Sequence, residues 1–395
     1  MRINENILIS SLTTMRLGGP ARYVLEIEKP ADIPDAYDFA TTHHLPTFVL
    51  GYGANTIGHD EGFDGAIIIN RMRGITDLSQ ENSTWMGDAN GGTPAARRRE
   101  PSTVGETLAA GPIQYIEIMG GEYWDDVVAY ACERNLTGIE ALSKIPGLAG
   151  AAPVQNIGAY GQEIADTLIS IEVYDTATGT FKVLTHDDLG FSYRKSILNT
   201  TEKNRYFVIS ITLALREGKM QPPFYRSIET YASEHGITDF SPRGIRTIVS
   251  TIRADKLPDP LEKASSGSFF KNIYLTREEA ELAEAKGYPV YHGKDGHKIN
   301  SGWLIEHAGF SGQLLHGMRV NPKAALVLIN ESAKSYQDLA SARNEITNKI
   351  YDLYGYWLEQ EPVEITTPGA HQWSPLAAAT SPALSKSAKP TKWPA

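Results

Sequence analysis

The stretch Ile145-Pro146-Gly147-Leu148-Ala149-Gly150-Ala151-Ala152-Pro153-Val154-Gln155-Asn156-Ile157-Gly158-Ala159-Tyr160-Gly161-Gln162-Glu163 has the residue types of a ligand-facing turn. It holds four glycines, four alanines, two prolines and a single charge. Gly and Pro at this density weaken a helix, and a plain linker would not carry Ile, Val, Gln, Asn and Tyr among the glycines. An ordered turn with a bared backbone remains, on which something large and flat can lie, with Gln155 and Asn156 offering directional amides. Two readings fit these residues: a cofactor bed, or a packed crossover loop that holds nothing.

Other stretches have residues suited to chemistry. Gly51-Tyr52-Gly53-Ala54-Asn55-Thr56 follows the strand pattern Thr47–Leu50, and its small residues could cradle a phosphate. It lacks the dinucleotide-binding spacing, because Gly53 has no glycine three residues on. Tyr193-Arg194 could grip a carboxylate bidentately or simply pack on the surface. In Gly267-Ser268-Phe269-Phe270-Lys271-Asn272, Ser268 is either structural or a proton donor held against a flat ligand. Glu359, Glu361 and Glu364 crowd the end of the patterned chain. Only Glu361 precedes a proline, whose ring restricts it to an extended backbone. It is therefore the one expected to be aimed, with Glu359 and Glu364 facing solvent.

Composition excludes much. Net charge is −10, which argues against general nucleic-acid binding. The single cysteine, Cys132, allows no internal disulfide and fits a reducing cytoplasm. No apolar run approaches the roughly 20 residues of a membrane span, and Met1–Ser10 alternates in polarity unlike a signal peptide. Ten histidines without His-x-x-x-His, and no Cys-x-x-Cys, leave a metal site unsupported. There is no Gly-x-Ser-x-Gly elbow and no Walker loop, so hydrolase and NTPase readings lack support.

The elements that must position these residues follow from periodicity. Strands are expected at 22–28, 47–50, 66–70, 114–119, 205–215 and 324–330, with a hairpin from 167–174 and 180–184 across Thr178-Gly179. Helices are expected at 30–42, 123–134 and 301–308. A further helix opens at a Thr276/Glu279 capping box and ends near Gly287, and another runs from a Ser335 cap to about Tyr354. Residues 221–254 read as mixed helix with aromatics at Phe224, Tyr225 and Tyr231, and Lys256-Leu257-Pro258-Asp259-Pro260 as a rigid turn. Between Asp77 and Pro112 the pattern lapses, and Asn90–Pro94 with Arg97–Arg99 reads as a flexible excursion. From Thr366 the chain is Pro-, Ala-, Ser- and Thr-rich and reads as disordered. At 395 residues, two or three domains are expected.

Thr14-Met15-Arg16-Leu17-Gly18-Gly19-Pro20-Ala21, Leu50–Asn55, Ile145–Gly161, Tyr193–Ser196 and Gly267–Asn272 stand in the order found in the UDP-N-acetylenolpyruvoylglucosamine reductase family, which the chain resembles over roughly residues 3–365. The resemblance implies an α+β protein with a two-part FAD-binding fold of the vanillyl-alcohol-oxidase type and an α/β substrate domain. The implied boundaries are 1–70 and 71–217 for FAD, 218–365 for substrate, and a disordered tail at 366–395. It implies FAD as cofactor, NADPH as co-substrate and UDP-N-acetylglucosamine enolpyruvate as substrate, in a cytoplasmic monomer. FAD would lie on Gly51, Tyr52, Gly53, Ala54, Asn55, Thr56, Gly147, Gly150, Ala151, Ala152, Gln155, Asn156, Gly158 and Tyr160. Arg194 would hold the substrate carboxylate, Ser268 would supply a proton and Glu361 would assist them. Tyr193, Tyr225, Lys256 and Asn272 would grip the UDP-sugar. Two alternatives share part of these features: a flavin oxidase on the same fold, and a catalytically silent UDP-sugar-binding module.

Overall fold

The strand Tyr206–Glu217 is buried without interruption from Phe207 to Leu215, as an apolar strand is when both faces of its sheet are covered. In the computed structural model, which describes residues 1–78, 111–293 and 296–366, it is the middle of a six-stranded sheet. It pairs antiparallel with Leu168–Asp175 on one side and Ile113–Met119 on the other. Leu168–Asp175 turns back as the expected hairpin onto Thr180–Thr185. Within Tyr206–Glu217, Phe207 and Ile209 join one apolar core, while Ile211, Leu213 and Leu215 join the other. Strict alternation would send all five to one face. A bulge that skips Ile209, between the pairs Val173↔Val208 and Glu172↔Ser210, reverses the alternation and lets one strand serve both cores.

Helix Trp124–Glu133 covers one face of this sheet through Trp124, Val127, Val128 and Ala131. The other face meets helix Asp32–Thr42 and a second sheet in the order Arg2–Leu8, Pro20–Ile27, Phe63–Asn70, Thr47–Leu50. Its last two strands are parallel, so the loop Gly51–Asn55 leaves from the carboxyl end of Thr47–Leu50.

The described chain divides into two compact units interleaved in sequence. The first contains residues 1–7, 21–54 and 64–256; the second contains 8–20, 55–63 and 257 onward. Helices Arg226–Glu234 and Pro242–Lys256 carry their own small core of Ile228, Ile245, Ile248 and Val249. They belong to the first unit, where Arg246 forks onto both oxygens of Asp125 at 2.6 and 2.9 Å. The boundary at 218 implied by the resemblance is thus not a boundary between the two compact units, which part after Lys256.

In the second unit, the sheet Ser265–Ser268, Val327–Asn330, Met318–Val320, Leu314–Leu315 packs with helices Arg277–Ala285, Ser301–His307 and Tyr336–Tyr354 around Phe269, Phe270, Leu304 and Ile346. The capping boxes at Thr276/Glu279 and Ser335/Asp338 are both formed. The strand expected from Ala324 starts only at Val327, because Asn321–Val327 is tied into turns by Ala324 N–H to Asn321 O and Val327 N–H to Ala324 O. The mixture of helices and mainly antiparallel sheets is the expected α+β class. The excursion with Asn90–Pro94 and Arg97–Arg99, and the tail beyond residue 366, lie outside the described residues.

Candidate active site

The nineteen-residue stretch is an ordered platform. A short 3-10 turn at Ala149–Ala151 leads to a two-residue hairpin, Gly158–Ala159 against Gln162–Glu163. Its foundation is Gly120-Gly121. Gly150 N–H donates to Gly120 O at 2.9 Å, and a Cβ on Gly150 would stand 3.0 Å from the Gly120 backbone. A Cβ on Gly121 would meet Met72 O at 2.5 Å, Met72 N at 2.7 Å and Asn70 O at 2.8 Å, all main-chain atoms that cannot swing aside. Gly121→Ala is therefore expected to cost at least about 1–3 kcal/mol, read as a lower urea midpoint.

At Gly147 the platform backbone is open. Around Gly147 no heavy atom lies within 4 Å of where a Cβ would stand. Gly51 approaches Ala151 so closely that its Cβ would be 3.3 Å from the alanine methyl. The two glycine-rich stretches singled out separately in sequence are thus adjacent. Gly53, at φ +73°, takes the left-handed turn the loop needs.

Three non-glycine residues of this region also have positive φ: Asn156 at +46°, Tyr160 at +48° and Arg194 at +55°. Such conformations cost energy and concentrate where geometry serves function. Asn156 is 1% exposed, and its amide is engaged inside the protein. Its Nδ2 donates to Glu163 Oε2 (2.7 Å) and Ser192 O (3.2 Å), and its Oδ1 accepts from Ala165 N–H (3.2 Å). A side chain so engaged shapes the platform; the ligand-directed amide expected of Asn156 is taken up in that work. Arg194 lies along the platform edge, with Nη1 donating to Asn156 O (3.3 Å) and Nη2 to Gly158 O (2.7 Å). These bonds fix the guanidinium plane, and the Tyr193 ring sits 5.1 Å from it. Ser196 Oγ donating to Val154 O stitches the following loop to the platform. Tyr225, half exposed, meets the Tyr160 ring edge to face at 5.8 Å. Lys256 ends the helix Pro242–Lys256.

Ser268, Asn272 and Glu361 belong to the second unit together with Asn55 and Thr56. Gly267 at φ +70° puts a kink into strand Ser265–Ser268, and a register shift there leaves Ser268 opposite Val327. Phe269 and Phe270, wholly buried, anchor the residues just after Ser268. The terminal segment runs antiparallel beside them: Phe270 bridges Gln360, Glu361 N–H donates to Phe269 O (2.9 Å) and Lys271 N–H to Glu359 O (2.8 Å). The segment carrying Glu361 is thus tied to the residue that follows Ser268. Val363 N–H donates to Asn55 O, and Val363–Ile365 pairs in parallel with Thr56–Gly58, so the Gly51 loop runs into the strand partner of this same segment. Asn272 Oδ1 accepts from Ser301 N–H at the start of helix Ser301–His307.

The expectation that Glu364 faces solvent is wrong. It is 3% exposed and bound to Arg343 Nη1 (2.8 Å), Tyr336 Oη (2.9 Å) and His59 Nε2 (3.2 Å). Burial alone would raise its carboxyl, but the His59 hydrogen bond, the Arg343 charge and the Tyr336 hydroxyl outweigh that and lower it from 4.5 to about 2. A carboxylate with a depressed folded value stabilises fully above its unfolded value and loses this as pH falls through the folded one. The shift corresponds to about 3 kcal/mol, of which about 2 kcal/mol is lost near pH 3. Unfolding free energy should fall less steeply between pH 6 and 3 in Glu364→Gln than in the parent; equal slopes would remove Glu364 as the cause.

Two family models match the chain. UDP-N-acetylenolpyruvoylglucosamine reductase, C-terminal domain, covers residues 259–365, and FAD binding domain covers 112–185. The UDP-N-acetylenolpyruvoylglucosamine reductase of Ralstonia nicotianae is 32% identical over 89% of this chain and 96% of its own length. The protein of the same name from Escherichia coli is 29% identical over 86% and 90%. Among solved structures, the UDP-N-acetylenolpyruvylglucosamine reductase of Thermus caldophilus matches with a TM-score of 0.59 at 21% identity, covering 93% of this chain and all of that one.

Proposed function

Since the chain belongs to the UDP-N-acetylenolpyruvoylglucosamine reductase family, we propose that it reduces UDP-N-acetylglucosamine enolpyruvate to UDP-N-acetylmuramate with FAD and NADPH, a step of peptidoglycan precursor synthesis. The observation that supports the reading of the site is the Glu361 N–H bond to Phe269 O, which ties the segment carrying Glu361 to the residue just after Ser268.

The residues fit FAD. The platform has bare backbone at Gly147 and meets the Gly51 loop at Ala151, which suits a flat ring joined to a pyrophosphate. Gly51 to Thr56 and the Gly147 to Tyr160 positions would hold it. When bound, FAD supplies the two-electron carriage from NADPH to the enolpyruvyl double bond, leaving the protein to bind, orient and manage charge.

Arg194 supplies a fixed cation for the substrate carboxylate, onto which negative charge spreads as the terminal carbon gains hydride. Its guanidinium plane is already set by the carbonyls of Asn156 and Gly158. Ser268 delivers a proton to the carbon beside that carboxylate. A hydroxyl with so high an intrinsic pKa suits only a strongly basic acceptor, which this carbon then is. Glu361, on the neighbouring strand, assists the arginine and the serine. Tyr193, Tyr225, Lys256 and Asn272 grip the UDP-sugar, with Asn272 oriented through its bond from Ser301 N–H. No helix among the described residues is long and apolar enough to cross a membrane. By its likeness to the family, and not on that ground, we assign a cytoplasmic monomer.

Purified full-length protein should be yellow, and NADPH oxidation should depend on UDP-N-acetylglucosamine enolpyruvate. A colourless protein that takes up no added FAD would overturn the reading. A yellow protein that binds the UDP-sugar yet leaves NADPH untouched would make it a silent binding module, and turnover with molecular oxygen alone would make it an oxidase.

A further inference from the structure

The second unit holds a buried polar network with no part in the chemistry above. Arg343 is 2% exposed and pairs with the equally buried Glu364 at 2.8 Å. The ring of Tyr336 stacks on His59 at 3.7 Å, and both side chains bond the Glu364 carboxylate. Buried ion pairs are costly to desolvate, and apolar residues of similar volume often replace them without loss of stability. Such a pair is better suited to fixing geometry than to adding stability.

The network leads to one place. Arg343 Nη1 also donates to Gln360 Oε1 at 2.7 Å. The other end of that amide, Nε2, donates to Pro362 O at 2.8 Å and to Glu364 Oε1 at 3.3 Å. The Gln360 side chain therefore bridges the backbone across Glu361, from the residue before it to the residue after it. Phe269 O holds the Glu361 N–H, and Asn55 O holds the N–H of Val363. With Pro362 restricting Glu361 to an extended backbone, the peptide that carries this carboxylate is held on every side.

We propose that the Arg343–Glu364 pair, acting through the Gln360 amide, is a positioning device that sets the direction of the Glu361 carboxylate. Gln360, Arg343 and Glu364 are positioning residues and touch no substrate. The inference rests on the role given to Glu361 above.

Gln360→Met keeps length and volume while removing all three amide hydrogen bonds. In the flavin-loaded full chain it should slow reoxidation by UDP-N-acetylglucosamine enolpyruvate by about 10- to 100-fold, the scale of a misplacement near 1 Å. NADPH reduction should stay within about twofold. Hydrogen exchange should quicken at the Glu361 amide while the thermal midpoint stays within a few degrees. A purely structural residue would move the midpoint and both half-reactions together. Combined with Glu361→Gln, the two losses should not multiply, because a misdirected carboxylate and an absent one fail alike. Parent-like reoxidation in Gln360→Met, or multiplying losses in the double variant, would overturn the proposal. Parent-like reoxidation in Glu361→Gln alone would overturn the role of Glu361 and this proposal with it, so that single variant tells the two failures apart. Should Gln360→Met not fold, Gln360→Ala is judged by the same outcomes.

Discussion

Ser268→Ala is expected to leave reduction of the bound flavin by NADPH within about twofold of the parent and to slow reoxidation by the enolpyruvyl substrate by about 10²- to 10⁴-fold. The asymmetry follows from timing. A proton donor that acts after hydride has reached the substrate has nothing to do while NADPH is the reactant. The substitution is also mild structurally. Ser268 is half buried at the end of its strand, and its place is held by Gly267 in the left-handed region and by Phe269 and Phe270 in the core, none of which involves its hydroxyl. Stopped-flow absorbance separates the two halves of the cycle. Equal slowing of both would mean that Ser268 supports the flavin platform and donates no proton.

The parts of this arrangement that sequence could reveal are those specified locally. The capping boxes at Thr276/Glu279 and Ser335/Asp338 mark helix starts because both partners lie within one turn. The hairpin across Thr178-Gly179 shows because Gly179, at φ +67°, supplies the turn between two apolar runs. The strand Arg2–Leu8 has no such mark: five of its seven residues are exposed, so no apolar alternation betrays it. Nor has the three-stranded sheet of Ile273–Leu275, Gly296–Ile299 and Val290–Gly293, whose strands are short and largely uncovered.

The candidate site divides the same way. Its glycines, Arg194 and Ser268 stand in short motifs. Glu364 is read as a solvent-facing charge because its partners Arg343 and His59 lie 21 and 305 residues away. The Asn156 amide is read as ligand-facing because the turn folds it back onto Glu163 and Ala165, 7 and 9 residues on, and onto Ser192 O of another loop, 36 residues on. Side-chain direction in both cases is set by tertiary partners that no spacing displays. Pro362 disfavours a helical backbone at Glu361, and the Glu361 N–H bond to Phe269 O, beside the antiparallel bridge of Phe270 to Gln360, is a pairing of the extended kind.

The three C-terminal glutamates should therefore part into three classes. Glu361→Gln is expected to slow flavin reoxidation by about 10²- to 10⁴-fold, with unfolding free energy within about 1 kcal/mol of the parent, because the backbone bond to Phe269 O survives the change. Glu359→Gln should match the parent in both respects. Its carboxylate is 67% exposed and pairs only loosely with Lys271 at 3.4 Å, a surface contact worth under about 1 kcal/mol. Glu364→Gln should form the third class, losing about 3 kcal/mol or more in stability, because it leaves the buried Arg343 without its carboxylate. Any slowing in that variant should track the loosened Glu361 peptide and leave NADPH reduction unchanged. Urea unfolding and stopped-flow reoxidation on the same three preparations decide the matter. A stable Glu364→Gln that reoxidises far more slowly than Glu361→Gln would move the assisting role three residues on, to the carboxylate bound by Tyr336 and His59.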